Sequence, residues 1–317
     1  MISNCDGTKT LEELSALSGK FNVDLIELLL IKFESLGVIN TVNKISAKDI
    51  FKLRIGLFEG DKLLPSDHPV TKILAVLLLY FSLPVFLAGC VFLILNSTYV
   101  ADLENLVNNY QNYIILFLIT LLFITLHELG HLVIARYYKV NVPEVGIMLY
   151  FFTPLAYTNV SLLRTIKNKA HKILILLGGA FANVLLIGIL LILWGLFFKD
   201  TDISVIFLLS VISNFGVIIA NVVIFLKLDG YYIFQEIINE DYLREKSIGI
   251  FWFVILGVLR RFGFRTKTKY NVIEMKRMSG INDIFYICFG ALSVLYIPFL
   301  ILIAATNILS YLQLIQG

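Results

Sequence analysis

The stretch His127-Glu128-Leu129-Gly130-His131 carries residue types and a spacing that suit metal-assisted hydrolysis. Residues four apart on an α-helix lie on one face, about 6 Å apart along the axis, so His127 and His131 can grip one zinc ion between their imidazoles. Glu128 stands one step around the helix. There its carboxylate can act as general base toward a metal-activated water and then pass the proton to a leaving amine. The pattern predicts hydrolysis without a covalent intermediate. A chance His-Glu-x-x-His is the bland alternative, but this one falls inside a long apolar run, where burying three such groups for packing alone is costly.

Catalytic zinc sites usually take three protein ligands and keep a fourth position open. Asp229, in Leu228-Asp229-Gly230-Tyr231-Tyr232 at the end of another apolar run, is the expected third ligand. Glu144, in the turn-like Asn141-Val142-Pro143-Glu144, is the second candidate, with a solvated loop glutamate as its simpler role. His171, close to Lys169 and Lys172, reads as an interfacial histidine. Cys5, Cys90 and Cys288 are too widely spaced for a metal-binding pair or a disulfide framework.

The elements that must position these groups are membrane helices. The 317 residues are 58% hydrophobic and only 15% charged, far from the usual globular mixture. Apolar runs near 72–96, 113–138, 172–198, 203–226 and 283–312 are each long enough to cross a bilayer core about 30 Å thick. The expected fold is therefore an all-α polytopic membrane protein of about five transmembrane helices. Residues 247–264 start apolar but end in Arg260, Arg261 and Arg265, which predicts a re-entrant or interfacial segment.

Basic residues orient the spans, because cytoplasmic loops carry excess Lys and Arg. Residues 97–111 hold none, whereas Lys52, Arg54, Lys62 and Lys72 precede the first span, and Arg136 through Lys172 and Arg244 through Arg277 fill two other loops. The expected N-terminus is cytoplasmic and the expected location is the cell membrane. The second and fourth spans then both descend toward the cytoplasm, which brings Asp229 to the depth of the histidines. A net charge of +3 with no clustered basic face gives no reason to expect a nucleic-acid partner.

Three domains are expected: a small soluble winged-helix-like unit over 1–45, a linker over 46–71 and the membrane domain over 72–317. The first unit opens on a capping-box pattern at Thr10-Leu11-Glu12-Glu13, continues in a helix over about 23–36 and ends in a short strand over 38–45. The start lacks the basic and continuous apolar regions of a signal peptide.

The membrane domain resembles the site-2 protease family of intramembrane zinc metalloproteases. The resemblance is carried by His127–His131, by Gly179-Ala180-Phe181-Ala182-Asn183, and by Asn221 through Gly230, in that order. Ala180 and Ile224 stand where the family usually has prolines. The resemblance implies zinc binding by His127, His131 and Asp229, a base role for Glu128, and substrate contacts from Asn183 and Asn221, for which an interhelical hydrogen bond is an equal alternative. It also implies membrane-embedded β structure over 145–157 that can pair with an extended substrate.

Leu228 through Phe234, Tyr242 through Ser247, and Phe289 through Ser293 with Tyr296 are more specifically similar to the bacterial putative peptide zinc metalloprotease branch. Members of that branch often accompany genes for ribosomally made, modified peptides. Residues 5–14 are similar to the peptide-binding proteins named for pyrroloquinoline quinone synthesis protein D, which implies a leader peptide as partner. The expected function is cleavage of a hydrophobic or membrane-associated peptide during maturation. The alternatives are regulated cleavage of a transmembrane signalling protein and, in another class, a non-proteolytic exporter or immunity protein.

Overall fold

A computed structural model describes residues 52–99, 110–150, 153–261 and 281–316; the expected winged-helix-like unit and its leader-peptide role lie outside them. The chain divides into two compact units, and the second, residues 54–148 with 154–317, carries everything below. It is mostly helical and, among the described residues, has five helices long and apolar enough to cross a membrane.

Strand β1 (Lys52–Phe58), in the stretch expected to be linker, leads through the short helix α1 (Gly60–Leu63) to the first span, α2 (Pro69–Leu95). Pro69 occupies the first turn, and His68 caps it by accepting from the Val70 amide at 3.3 Å. Inside α2, residues Leu77–Phe81 widen into a π turn. Pro84 lies one turn on and has no N–H to donate to the carbonyl of Tyr80, four residues earlier, which the wider turn includes. The helix of the second span, α3, runs Tyr110–Tyr137 and holds the His-Glu-x-x-His sequence in its last turns.

After α3 come the strands β2 (Val145–Tyr150) and β3 (Thr153–Thr158). Where they belong to the second unit, the three strands form one sheet in the order β1-β2-β3. The helix α4 (Lys169–Leu176) then stops at Leu177, and the third span, α5 (Gly178–Phe198), starts afresh. Residues 172–198 are thus two helices, where hydropathy alone suggests one.

The fourth span, α6 (Ser204–Val222), also ends earlier than its apolar run. The run of β-branched residues Val222-Val223-Ile224 weakens helix at this point, Val223 is extended, and residues 223–228 are non-helical up to α7 (Asp229–Ile238). The helix ends here although position 224 is an isoleucine and not a proline. Helix α8 (Leu243–Arg261) covers the stretch expected to be interfacial and packs along α9 (Ile281–Gln316), whose Ile284–Leu302 portion is the fifth span.

Two glycine contacts set the spacing around α3. A methyl group at Gly130 would strike the Gly178 carbonyl, and one at Gly178 would strike the Gly130 carbonyl. The backbones of α3 and α5 therefore touch where the second histidine sits. Beneath this crossing, Leu132, Val133, Ile134 and Ala135 pack with Ala75, Val142, Ile175 and Ala182.

Arg136 anchors the end of α3. Its guanidinium pairs with Asp61 at 2.8 Å and donates to the carbonyls of Leu64 and Val140, while Asp61 accepts from the Val142 amide. Replacing Gly130 by Val should force α3 and α5 apart at a cost of about 1–3 kcal/mol, the usual range for overpacking. A thermal unfolding midpoint equal to that of the wild type in the same detergent would contradict this backbone contact.

Candidate metal centre

The His-Glu-x-x-His sequence lies on the buried side of α3, with His127 and His131 only 3% and 4% exposed. Their Nε2 atoms face each other at 3.2 Å. Asp229, the first residue of α7, closes the triangle: its Oδ2 stands 2.8 Å from His127 Nε2 and 3.0 Å from His131 Nε2. Two donor atoms from adjacent turns of α3 and one from the distant α7 thus converge on one point.

Outer contacts fix each of these candidate ligands. His131 Nδ1 donates to the Ile175 carbonyl at 2.9 Å. That carbonyl lies in the last turn of α4, where the helix leaves carbonyls without intrahelical partners, so the break before α5 supplies the acceptor. With its proton on Nδ1, neutral His131 presents an Nε2 lone pair to the centre. His127 Nδ1 meets the side-chain amide of Asn183 at 3.1 Å, and a methyl group at Gly179 would collide with the His127 ring. Gly230 performs a similar service for Asp229, because a Cβ there would strike the carbonyls of Asn221 and Val222.

A lone pair on His131 Nε2 only 3.0 Å from a carboxylate oxygen is repulsive without positive charge between them. A metal ion or an added proton answers that need. Tetrahedral zinc with bonds of about 2.0–2.1 Å places its ligand atoms roughly 3.3 Å apart. Edges of 2.8, 3.0 and 3.2 Å are slightly tighter than this, and the nitrogen and oxygen donor set is one that zinc accepts.

Glu128 competes for the third ligand position, since His127, Glu128 and His131 offer donor atoms all within 4.8 Å of one another. Asp229 is favoured, as one of its oxygens touches both imidazoles. Glu128 Oε2 instead accepts from the Thr158 amide at 2.8 Å, while the Thr158 hydroxyl donates to the Glu128 carbonyl at 2.8 Å. The last residue of β3 thereby holds the carboxylate beside the centre.

The remaining expected residues fall as follows. Asn183 is fully buried behind His127. Asn221 donates to the Val217 carbonyl on its own helix and, with Asp229, lines an apolar cavity of about 290 Å³ bounded by Leu177, Ala180, Ile233 and Phe234. Glu144 belongs to no group of close metal-ligating side chains among the described residues, and His171 stacks on Tyr138 with ring centroids 4.2 Å apart.

Sequence reasoning missed Thr158 and Asn214. Asn214 is fully buried in α6 and donates to the Asn183 backbone carbonyl at 3.3 Å; an asparagine in mid-span was the available signal. Nothing local marks Thr158. No family model, curated protein or solved structure matches the chain.

Asp229→Ala should lower zinc affinity by more than the roughly 10–100-fold typical of losing an outer-sphere partner, and Glu144→Gln should leave it unchanged. Chelator competition on purified protein measures both, and the opposite ranking would transfer the ligand role to Glu144.

Proposed function

We propose that this chain is a zinc metalloendopeptidase of site-2 protease type that cleaves a hydrophobic or membrane-associated peptide within or at the edge of the bilayer. The observation carrying this reading is the meeting of His127, His131 and Asp229 at 2.8–3.2 Å, with Glu128 alongside, at the end of a membrane-length helix. Zinc held by His127, His131 and Asp229 would supply Lewis acidity to polarise the scissile carbonyl and to make water a nucleophile near neutral pH.

The protein residues do the rest. Glu128 takes a proton from the attacking water as the new C–O bond forms, then delivers it to the amide nitrogen as the C–N bond breaks. The Thr158 amide keeps the Glu128 carboxylate turned toward the reaction. The cavity beside Asp229 is almost wholly apolar, which suits side chains of a lipid-borne peptide better than a soluble polar substrate.

An intramembrane substrate must be locally extended, because a peptide bond within a helix is covered and already hydrogen-bonded. Strand β3 is an edge of its sheet. At its end the Thr158 amide points to Glu128, whereas the next amide, Asn159, donates to the Glu144 carbonyl beside β2. By strand alternation, Ala156 shares the Thr158 side, so a peptide strand added along that edge runs toward the Glu128 carboxylate.

Peptide maturation is the preferred role, by resemblance to the peptide metalloprotease branch. The pattern of basic residues supports a cell-membrane location with the N-terminus cytoplasmic. Glu128→Gln should retain zinc but lose about 10²-fold or more of cleavage, the lower range of general acid–base contributions. Mass spectrometry of peptides from cells carrying the wild type or this variant reads the outcome. Identical peptide profiles, with any export or immunity phenotype preserved, would favour a non-proteolytic role.

A further inference from the structure

Asn183 meets the metal-facing histidine on the nitrogen that does not face the metal, and its amide is incompletely satisfied. Its Nδ2 is directed at His127 Nδ1 at 3.1 Å, while its Oδ1 is buried without a partner. Zinc on His127 Nε2 requires the ring proton to be on Nδ1, and Nδ1–H needs an acceptor. An amide nitrogen cannot accept. A half-turn about the last side-chain torsion exchanges the two amide atoms, a change that the hydrogen-bond network must decide.

The half-turn gives Oδ1 a donor in His127 Nδ1–H. It also turns Nδ2 away from a ring N–H that cannot accept from it. The Asn214 amide already donates to the Asn183 backbone carbonyl, and its own Oδ1 is likewise buried and unpartnered. Both asparagines are fully buried, so unmade hydrogen bonds there carry the full desolvation cost.

We propose that Asn183 is a positioning residue whose side-chain carbonyl accepts from His127 Nδ1–H and fixes that imidazole for metal binding, with Asn214 of α6 bracing the Asn183 backbone carbonyl. This assignment rests on the zinc reading above and gives Asn183 a role other than substrate contact. Gly179, one turn before Asn183, leaves the room in which the ring lies over α5. The chain His127–Asn183–Asn214 thus links α3, α5 and α6 through one hydrogen-bond network.

Zinc affinity of the full-length purified protein, measured by chelator competition with zinc as the only probe, tests this. Asn183→Leu removes the acceptor and should weaken zinc about 10–100-fold, the usual loss for an outer-sphere partner. Asn183→Asp keeps an acceptor and cannot donate to the ring, so it should hold zinc at least as tightly as the wild type. A loss of ten-fold or more in Asn183→Asp would overturn the proposal whether or not the leucine variant folds. Unchanged affinity in a folded Asn183→Leu would overturn it equally. A wild type that binds no zinc removes the metal reading itself, and this inference with it.

Discussion

The structure turns on an electrostatic demand. Two imidazole nitrogens and a carboxylate oxygen lie within 3.2 Å of one another in a largely buried site, and at least one imidazole presents a lone pair there. In water such atoms would separate and be hydrated. In a low-dielectric interior they persist only with positive charge among them, and a divalent ion answers that demand for all three at once. The surrounding features serve to hold these atoms against their mutual repulsion.

The holding is done largely by irregular backbone. The interruption between α4 and α5 gives the Ile175 carbonyl to His131, and the early end of α6 turns the chain so that Asp229 can open α7 beside the histidines. Glycines permit the approaches: Gly130 against Gly178, Gly179 under the His127 ring, and Gly230 beneath the end of α6. Non-helical backbone at membrane depth is tolerated where it is covered by protein or lines a cavity, and residues near 223–230 border the apolar cavity beside Asp229. Thr158 adds a second kind of support, because it joins the sheet to the carboxylate of Glu128 through the backbone. On the proposed reading, a peptide that paired with β3 would therefore meet Glu128 and the His127–His131–Asp229 cluster in a fixed register.

Much of this was legible in the amino-acid order. Long apolar runs give the spans, helical spacing puts His127 and His131 on one face, and the orientation argument brings Asp229 to their depth. The span limits were less legible, since hydropathy counts apolar residues and is blind to a helix that stops inside an apolar run, as at Leu177 and Val222. The β structure of Val145–Tyr150 and Thr153–Thr158 was expected from resemblance, because composition showed only an apolar stretch too broken for a helix. Thr158 and Asn214 act through tertiary contacts that no local pattern announces, although a mid-span asparagine is costly enough in lipid to have pointed to Asn214. For Asn183 the residue was legible but its direction was not: a buried amide in a helix serves substrate, helix or histidine according to which side faces the neighbouring span.

The most direct measurement is zinc K-edge X-ray absorption on wild-type protein purified without added metal, together with elemental analysis. The account predicts one zinc per chain, a first shell of nitrogen and oxygen at about 2.0–2.1 Å, and the outer scattering of two imidazoles. A folded sample that contains no zinc and takes up none, or a first shell with sulfur near 2.3 Å, would contradict it.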